Sequence, residues 1–173
     1  MNFENKKILV AYFSRKGKNH SNDRIVDLKI GNTANAAQMI ADLVNADTFE
    51  IKAVGEYPFE YNTCIEKAKE ELRDNSRPKL VENMDIYGYD VVFLGYPNWW
   101  GTMPMAVWTF IESHDFSGKI VLPFCTHEGS GMASSEKDLK KLIPNADIRK
   151  GLAIQGYSVS KAESIIHNWI ENA

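Results

Sequence analysis

The sequence predicts a three-layer α/β sandwich, a five-stranded parallel sheet in the order 2-1-3-4-5 with helices on both faces. Three observations predict it. Strand-type segments alternate with helical ones along the whole chain. The inner strand segments are continuous apolar runs, as in strands covered on both faces. Five strand segments are too few for a six-stranded dinucleotide fold, so the five-strand doubly wound order follows, with right-handed crossovers.

The first strand is Lys7–Phe13. A polar stretch follows, and Asn32-Thr33 opens a helix with Ala34, Ala37, Ala41 and Val44 on one stripe. Thr48–Ile51 reads as a short strand and Thr63–Asp74 as a helix, with Ile65, Ala68 and Leu72 in register. Asp90–Gly95 is the third strand. The next helix takes Pro104 in its first turn, where a missing N–H costs nothing, and buries Val107, Phe110 and Ile111. Lys119–Cys125 is the fourth strand, and Ser134–Leu142 is a helix burying Leu139 and Leu142. Asp147–Ile154 is the fifth strand, and the last helix carries Ala162, Ile165, Ile166, Trp169 and Ile170. No repeat or linker divides the chain, so residues 1–173 are expected to form one domain.

Composition closes several function classes. Apolar residues are 44 % and charged residues 25 %, which excludes disorder. A net charge of −3 gives no basic face for nucleic acid. The two cysteines, Cys64 and Cys125, are far apart, and the four histidines lie in unrelated segments, so no metal set is expected. The first apolar run is too short for a signal h-region, and no stretch approaches the about 20 residues of a membrane span. Cytoplasmic residence with reduced thiols is the expectation.

In this order of strands a ligand sits beyond their carboxyl ends, at the switch point between strands one and three. Three loops meet that requirement. Ser14-Arg15-Lys16-Gly17 and Gly31-Asn32-Thr33, separated by an insertion at 18–30, place small and hydroxyl residues before a helix. Their backbone N–H groups, the helix dipole, the Ser14 and Thr33 hydroxyls and the Arg15 charge suit a phosphate; an N-cap with a surface loop is the plainer reading. In Gly95–Pro104, Trp99 and Trp100 lie between Pro97 and Gly101, where flat rings suit stacking on a heteroaromatic ligand or packing into the core. In Cys125–Gly131, Gly129 and Gly131 let backbone approach a ligand edge. His127 is either a proton donor there or a hydrogen-bonded structural residue. Together the loops match a flavin mononucleotide, with one phosphate and one planar tricycle.

Other chemistries fail on spacing. A phosphatase loop from Cys125 needs arginine at 131, which is glycine. A nucleophile elbow needs glycine on both sides of Ser130, where Glu128 and Met132 stand. A receiver domain needs acids where Phe13, Ser14, Gly95 and Tyr96 stand. A dinucleotide fingerprint is missing its third glycine, since position 134 is serine.

On Ala11-Tyr-Phe-Ser14 with Gly31-Asn-Thr33, Gly95–Gly101 and Pro123–Gly131, the chain resembles the flavodoxin-like family over essentially its whole length, with the phosphate loop split as in one bacterial branch. The resemblance implies an FMN-binding redox protein. Ser14, Asn32 and Thr33 would bind the phosphate. Pro97, Asn98, Trp99, Trp100 and Gly101 would flank the isoalloxazine on one side, and Thr126, His127, Glu128, Gly129, Ser130 and Gly131 on the other. The mild charge favours an NAD(P)H-dependent reductase of quinone-like small molecules over an acidic carrier that docks redox proteins. A homodimer is compatible with either.

Overall fold

Apolar runs without alternation become the middle of a sheet. In the computed structural model, which describes residues 3–173, β1 is Ile8–Tyr12, β2 Gly17–Ser21, β3 Arg24–Leu28, α1 Asn32–Val44 and β4 Asp47–Glu50. They are followed by α2 Tyr61–Arg73, β5 Val91–Pro97, α3 Met105–Glu112, β6 Ile120–His127 and α4 Ser135–Leu142. The chain ends with β7 Asp147–Ile148, β8 Leu152–Gln155, a 3₁₀ turn Gly156–Lys161 and α5 Glu163–Glu171. Residues 1 and 2 of the expected domain lie outside the described residues.

The main sheet runs β4-β1-β5-β6-β7, with β8 also beside β6. All its pairings are parallel, so its positions follow the order 2-1-3-4-5. The fifth position differs from the continuous strand expected at Asp147–Ile154. Val121 faces Ile148 while Phe124 faces Leu152. Between those pairs stand two residues of β6 and three of the outer strand, a one-residue bulge at 149–151 that divides the strand into β7 and β8.

Successive residues of β1 and β5 point to opposite faces, and each face has its own core. Leu9, Ala11, Val92 and Leu94 pack with Val107, Phe110 and Leu139 of α3 and α4. Ile8, Val10, Val91 and Phe93 pack with Ala36, Ala37 and Ile40 of α1 and Ile166 and Ile170 of α5. Two helix stripes are rotated from their expected phase. The buried face of α1 is Thr33, Ala36, Ala37, Ile40 and Ala41, with Ala34 and Val44 half-buried. In α5, Ile165 stands 47 % exposed. A count of apolar residues misses Thr33, which is buried because its hydroxyl bonds Thr126 at 2.7 Å and turns that face inward.

The insertion at 18–30 is ordered as an antiparallel ribbon, β2 on β3. Asn22 and Asp23 at its tip have φ of 45° and 64°, the left-handed pair that a two-residue hairpin turn requires. The ribbon is anchored from outside itself. The Arg15 guanidinium donates to the Lys18 carbonyl, Lys18 Nζ pairs with Glu60 at 2.8 Å, and Asn22 N–H donates to Glu128 Oε2 at 3.1 Å. No helix among the described residues is long and apolar enough to cross a membrane.

Candidate functional site

Parallel strands bring their carboxyl-end loops to one edge, and here the loops enclose a cavity of about 430 Å³. That is the size range of a small-molecule site. Arg15, Asn32 and Thr33 line it from the β1–α1 connection, Pro97, Asn98, Trp99 and Trp100 from the end of β5, and Thr126, His127, Glu128 and Ser130 from the end of β6. The sequence reading missed the remaining wall: Asn19 and His20 from the hairpin, Tyr61, Cys64, Ile65 and Ala68 from α2, and Gly156.

At the α1 end, donors outnumber acceptors. Asn35 N–H reaches Gly31 O at 3.2 Å and Ala34 N–H reaches Ser14 Oγ at 3.0 Å, so Ser14 caps a helix twenty residues away. The amides of Asn32 and Thr33 have no protein acceptor among the described residues, and no acid stands in the first turn. The helix end therefore keeps its partial positive charge. Arg15 is 9 % exposed and donates to the carbonyls of Lys18, Pro58 and Phe59. No carboxylate pairs with it among the described residues, and its Nε–H is buried without a partner. A buried cation of this kind, lining the same cavity as bare helix amides, is matched by an anion such as a phosphate.

Five residues expected at the ligand are not among those that line this cavity. Ser14 and Gly31 line a second cavity of about 560 Å³, which shares Arg15 with the first. Gly31 is pressed so closely that a Cβ would lie 2.2 Å from Ser14 Oγ. Gly129 N–H donates to His127 Nδ1 at 2.9 Å, and Gly131 O accepts from Asn98 Nδ2 at 2.8 Å. Gly101 sits in a turn in which Trp99 and Thr102 exchange backbone hydrogen bonds. Asn98 holds that turn too, its Oδ1 accepting Gly101 N–H at 3.0 Å. The Asn98 amide thus ties the β5 and β6 turns together.

The two tryptophans divide the work. Trp99 packs edge-on against Phe13 (5.2 Å) and Tyr57 (5.0 Å), inside an aromatic cluster. Trp100 is 47 % exposed with φ of 55°, a left-handed conformation that Gly101 continues at 85°. A bulky residue there is strained by on the order of 1 kcal/mol or more. The strain is offset by Nε1–H donation to Ile65 O at 2.9 Å and by Lys69 over the ring at 5.2 Å. An indole held against its backbone preference is displayed at the mouth of the cavity.

His127 accepts from Gly129, so the neutral ring carries its proton on Nε2. Partial burial pushes its pKa below the ordinary value, against the pull of Glu128 in the other direction. The unfolded chain takes up this proton near pH 6.5, the folded one only at lower pH, so stability is full above that range and falls as pH drops through it. The urea midpoint of the wild type is expected to fall more between pH 7.5 and pH 5 than that of His127→Gln. Equal losses in both proteins would contradict this. Cys125, by contrast, is buried and its thiol is pushed up to about 12, so it holds no thiolate at neutral pH.

A family model described as flavodoxin matches residues 7–173. A candidate flavoprotein of Bacteroides eggerthii is 32 % identical, with 94 % of this chain and 99 % of that one covered at a TM-score of 0.72. A second, from Bacteroides uniformis, is 30 % identical over 96 % and 98 %, with a TM-score of 0.75. A flavoprotein of Lactobacillus acidophilus solved in complex with FMN shares the fold at 20 % identity and a TM-score of 0.66, over 90 % and 97 %. No curated protein matches.

Proposed function

The chain belongs to the flavodoxin family, and from that premise we propose that its cavity holds FMN and passes electrons from a nicotinamide donor to a small quinone-like acceptor. The observation that carries the cofactor assignment is the pair of unmatched Asn32 and Thr33 amides at the α1 end, with Arg15 in the wall of the same cavity. Ser14, outside this cavity, supports it by accepting from Ala34 N–H at the start of α1. Pro97 and Trp100 offer flat surfaces to the ring, and the Thr126–Ser130 turn reads its edge. When bound, FMN supplies hydride acceptance and one- or two-electron transfer. His127 keeps a proton on Nε2 at the cavity wall, where an acceptor that gains electrons also needs protons.

The reductase reading over the carrier reading is supported by the hairpin. A shuttle must bring its cofactor edge against another protein. Here the ribbon runs from the β1 loop to Glu128, just after β6, and puts Asn19 and His20 into the cavity wall. The test is the flavin absorbance of the purified protein, followed by steady-state NAD(P)H oxidation with a quinone. Rapid turnover is the expected result. Reduction only through a partner reductase would replace the enzyme by a carrier, and a colourless protein that ignores added FMN would sink both.

A further inference from the structure

One polar pair in the cavity wall remains without a task once the cofactor groups are assigned. The Thr33 and Thr126 hydroxyls bond each other, the Asn98 amide is consumed by two turns, and Trp100 Nε1–H is taken by Ile65 O. Asn19 Nδ2 turns back to Gly17 O at 2.9 Å. Across from these, His20 of β2 and Tyr61 of α2 face each other, ring centroids 6.0 Å apart and tilted by 39°. Neither the imidazole nitrogens nor the phenol hydroxyl has a hydrogen-bond partner among the described residues, yet both residues line the cavity.

We propose that His20 and Tyr61 are the recognition site for the second substrate, a planar ring bearing carbonyl oxygens. The inference rests on the FMN reading above. A carbonyl oxygen only accepts hydrogen bonds, and this pair offers an imidazole N–H and a phenol O–H. Their ring faces, with Ile65 and Ala68 beside Tyr61, present apolar surface to a flat molecule. His20 is also held in place, although it rides on an insertion. Lys18, two residues before it, is fixed by Arg15 and Glu60, and Asn22, two residues after it, is fixed by Glu128. Such anchoring reduces the ordering cost of binding.

The test uses the oxidised, FMN-loaded protein titrated with 1,4-naphthoquinone in the absence of any electron donor, so that binding is read without turnover. His20→Ala is expected to weaken naphthoquinone binding about tenfold and Tyr61→Phe about threefold, each losing one donor. His20→Gln, which keeps an N–H, should recover most of the loss. The Kd for FMN should stay within about twofold in all three, since neither side chain serves the cofactor. In turnover, the quinone KM should rise while ferricyanide, which needs no donor, is reduced as before. An unchanged naphthoquinone Kd in His20→Ala, or no naphthoquinone binding by the wild type, overturns the proposal while leaving FMN chemistry intact. A shift in the FMN Kd as large as the shift for naphthoquinone overturns it by returning the pair to the cofactor site. A protein that takes up no FMN removes the underlying reading instead.

Discussion

A Gly31→Ala protein is expected to lose FMN on purification and to unfold about 1–3 kcal/mol more easily, the range for forced overpacking. The backbone at Gly31, φ −68° and ψ 152°, is open to alanine, so conformation is not the obstacle. A Cβ there would stand 2.2 Å from Ser14 Oγ, 2.5 Å from Arg15 O and 2.9 Å from Arg15 C. Two of these atoms are backbone, and Ser14 Oγ is committed to Ala34 N–H. The gain from a stiffer unfolded chain is about 0.4–1 kcal/mol and loses to the clash. Relief requires the Ser14–Arg15 segment to lift off the start of α1, which dismantles the donor set proposed for the phosphate. Gly156→Ala makes the control. Its Cβ would meet only side-chain ends, Asn32 Nδ2 at 2.3 Å and Glu128 Oε1 at 2.5 Å, which can swing aside. It should melt near the wild type and keep its FMN affinity, because the Asn32 group assigned to the phosphate is the backbone amide, which stays in place. Urea midpoints and FMN titrations on the two variants separate these effects. A Gly31→Ala protein that stays yellow and unfolds like the wild type would refute the close-approach argument.

The sheet was legible because burial on both faces writes itself as unbroken apolar runs: Val91–Tyr96 and Val121–Thr126 are buried throughout. The loops at its carboxyl edge were legible for the same reason, since the order of strands dictates which connections meet. The hairpin was not. A two-stranded ribbon with Ile25 exposed and polar residues on both faces has no period-two pattern of apolar side chains. Its one local signal was Asn22-Asp23, a pair tolerant of left-handed backbone. The contribution of α2 was hidden differently. Ile65 and Ala68 were read as a core stripe, and helical spacing does not distinguish a stripe that faces a core from one that faces a cavity. Arg15 was read as a charge for the phosphate, whereas three carbonyls hold it, two of them on the distant Pro58–Phe59 segment, a contact that only the fold creates.

Arg15 therefore joins two functions, and its removal should show both. In Arg15→Ala the carbonyls of Lys18 and Pro58 lose this donor, at about 1–3 kcal/mol for each acceptor left buried and unpaired, while Phe59 O keeps the Lys18 N–H. Against this, the unliganded wild type carries a buried cation with no counter-ion, a cost that the variant escapes. The two oppose each other without FMN, so the unliganded variant should be only modestly less stable. With FMN they add, because the phosphate supplies the missing negative charge only when the guanidinium is present. An about 100-fold weaker FMN Kd corresponds to about 2.7 kcal/mol less stabilisation at saturating ligand. The rise in melting temperature on adding FMN should thus largely vanish in Arg15→Ala. Arg15→Lys keeps the charge but is unable to span three carbonyls with one ammonium, so it should recover part of the FMN shift and none of the hairpin's protection. Hydrogen exchange of the 17–28 amides reads the second effect separately. A full FMN-induced shift in Arg15→Ala would mean that the guanidinium is only a brace for the hairpin and takes no part in holding the anion.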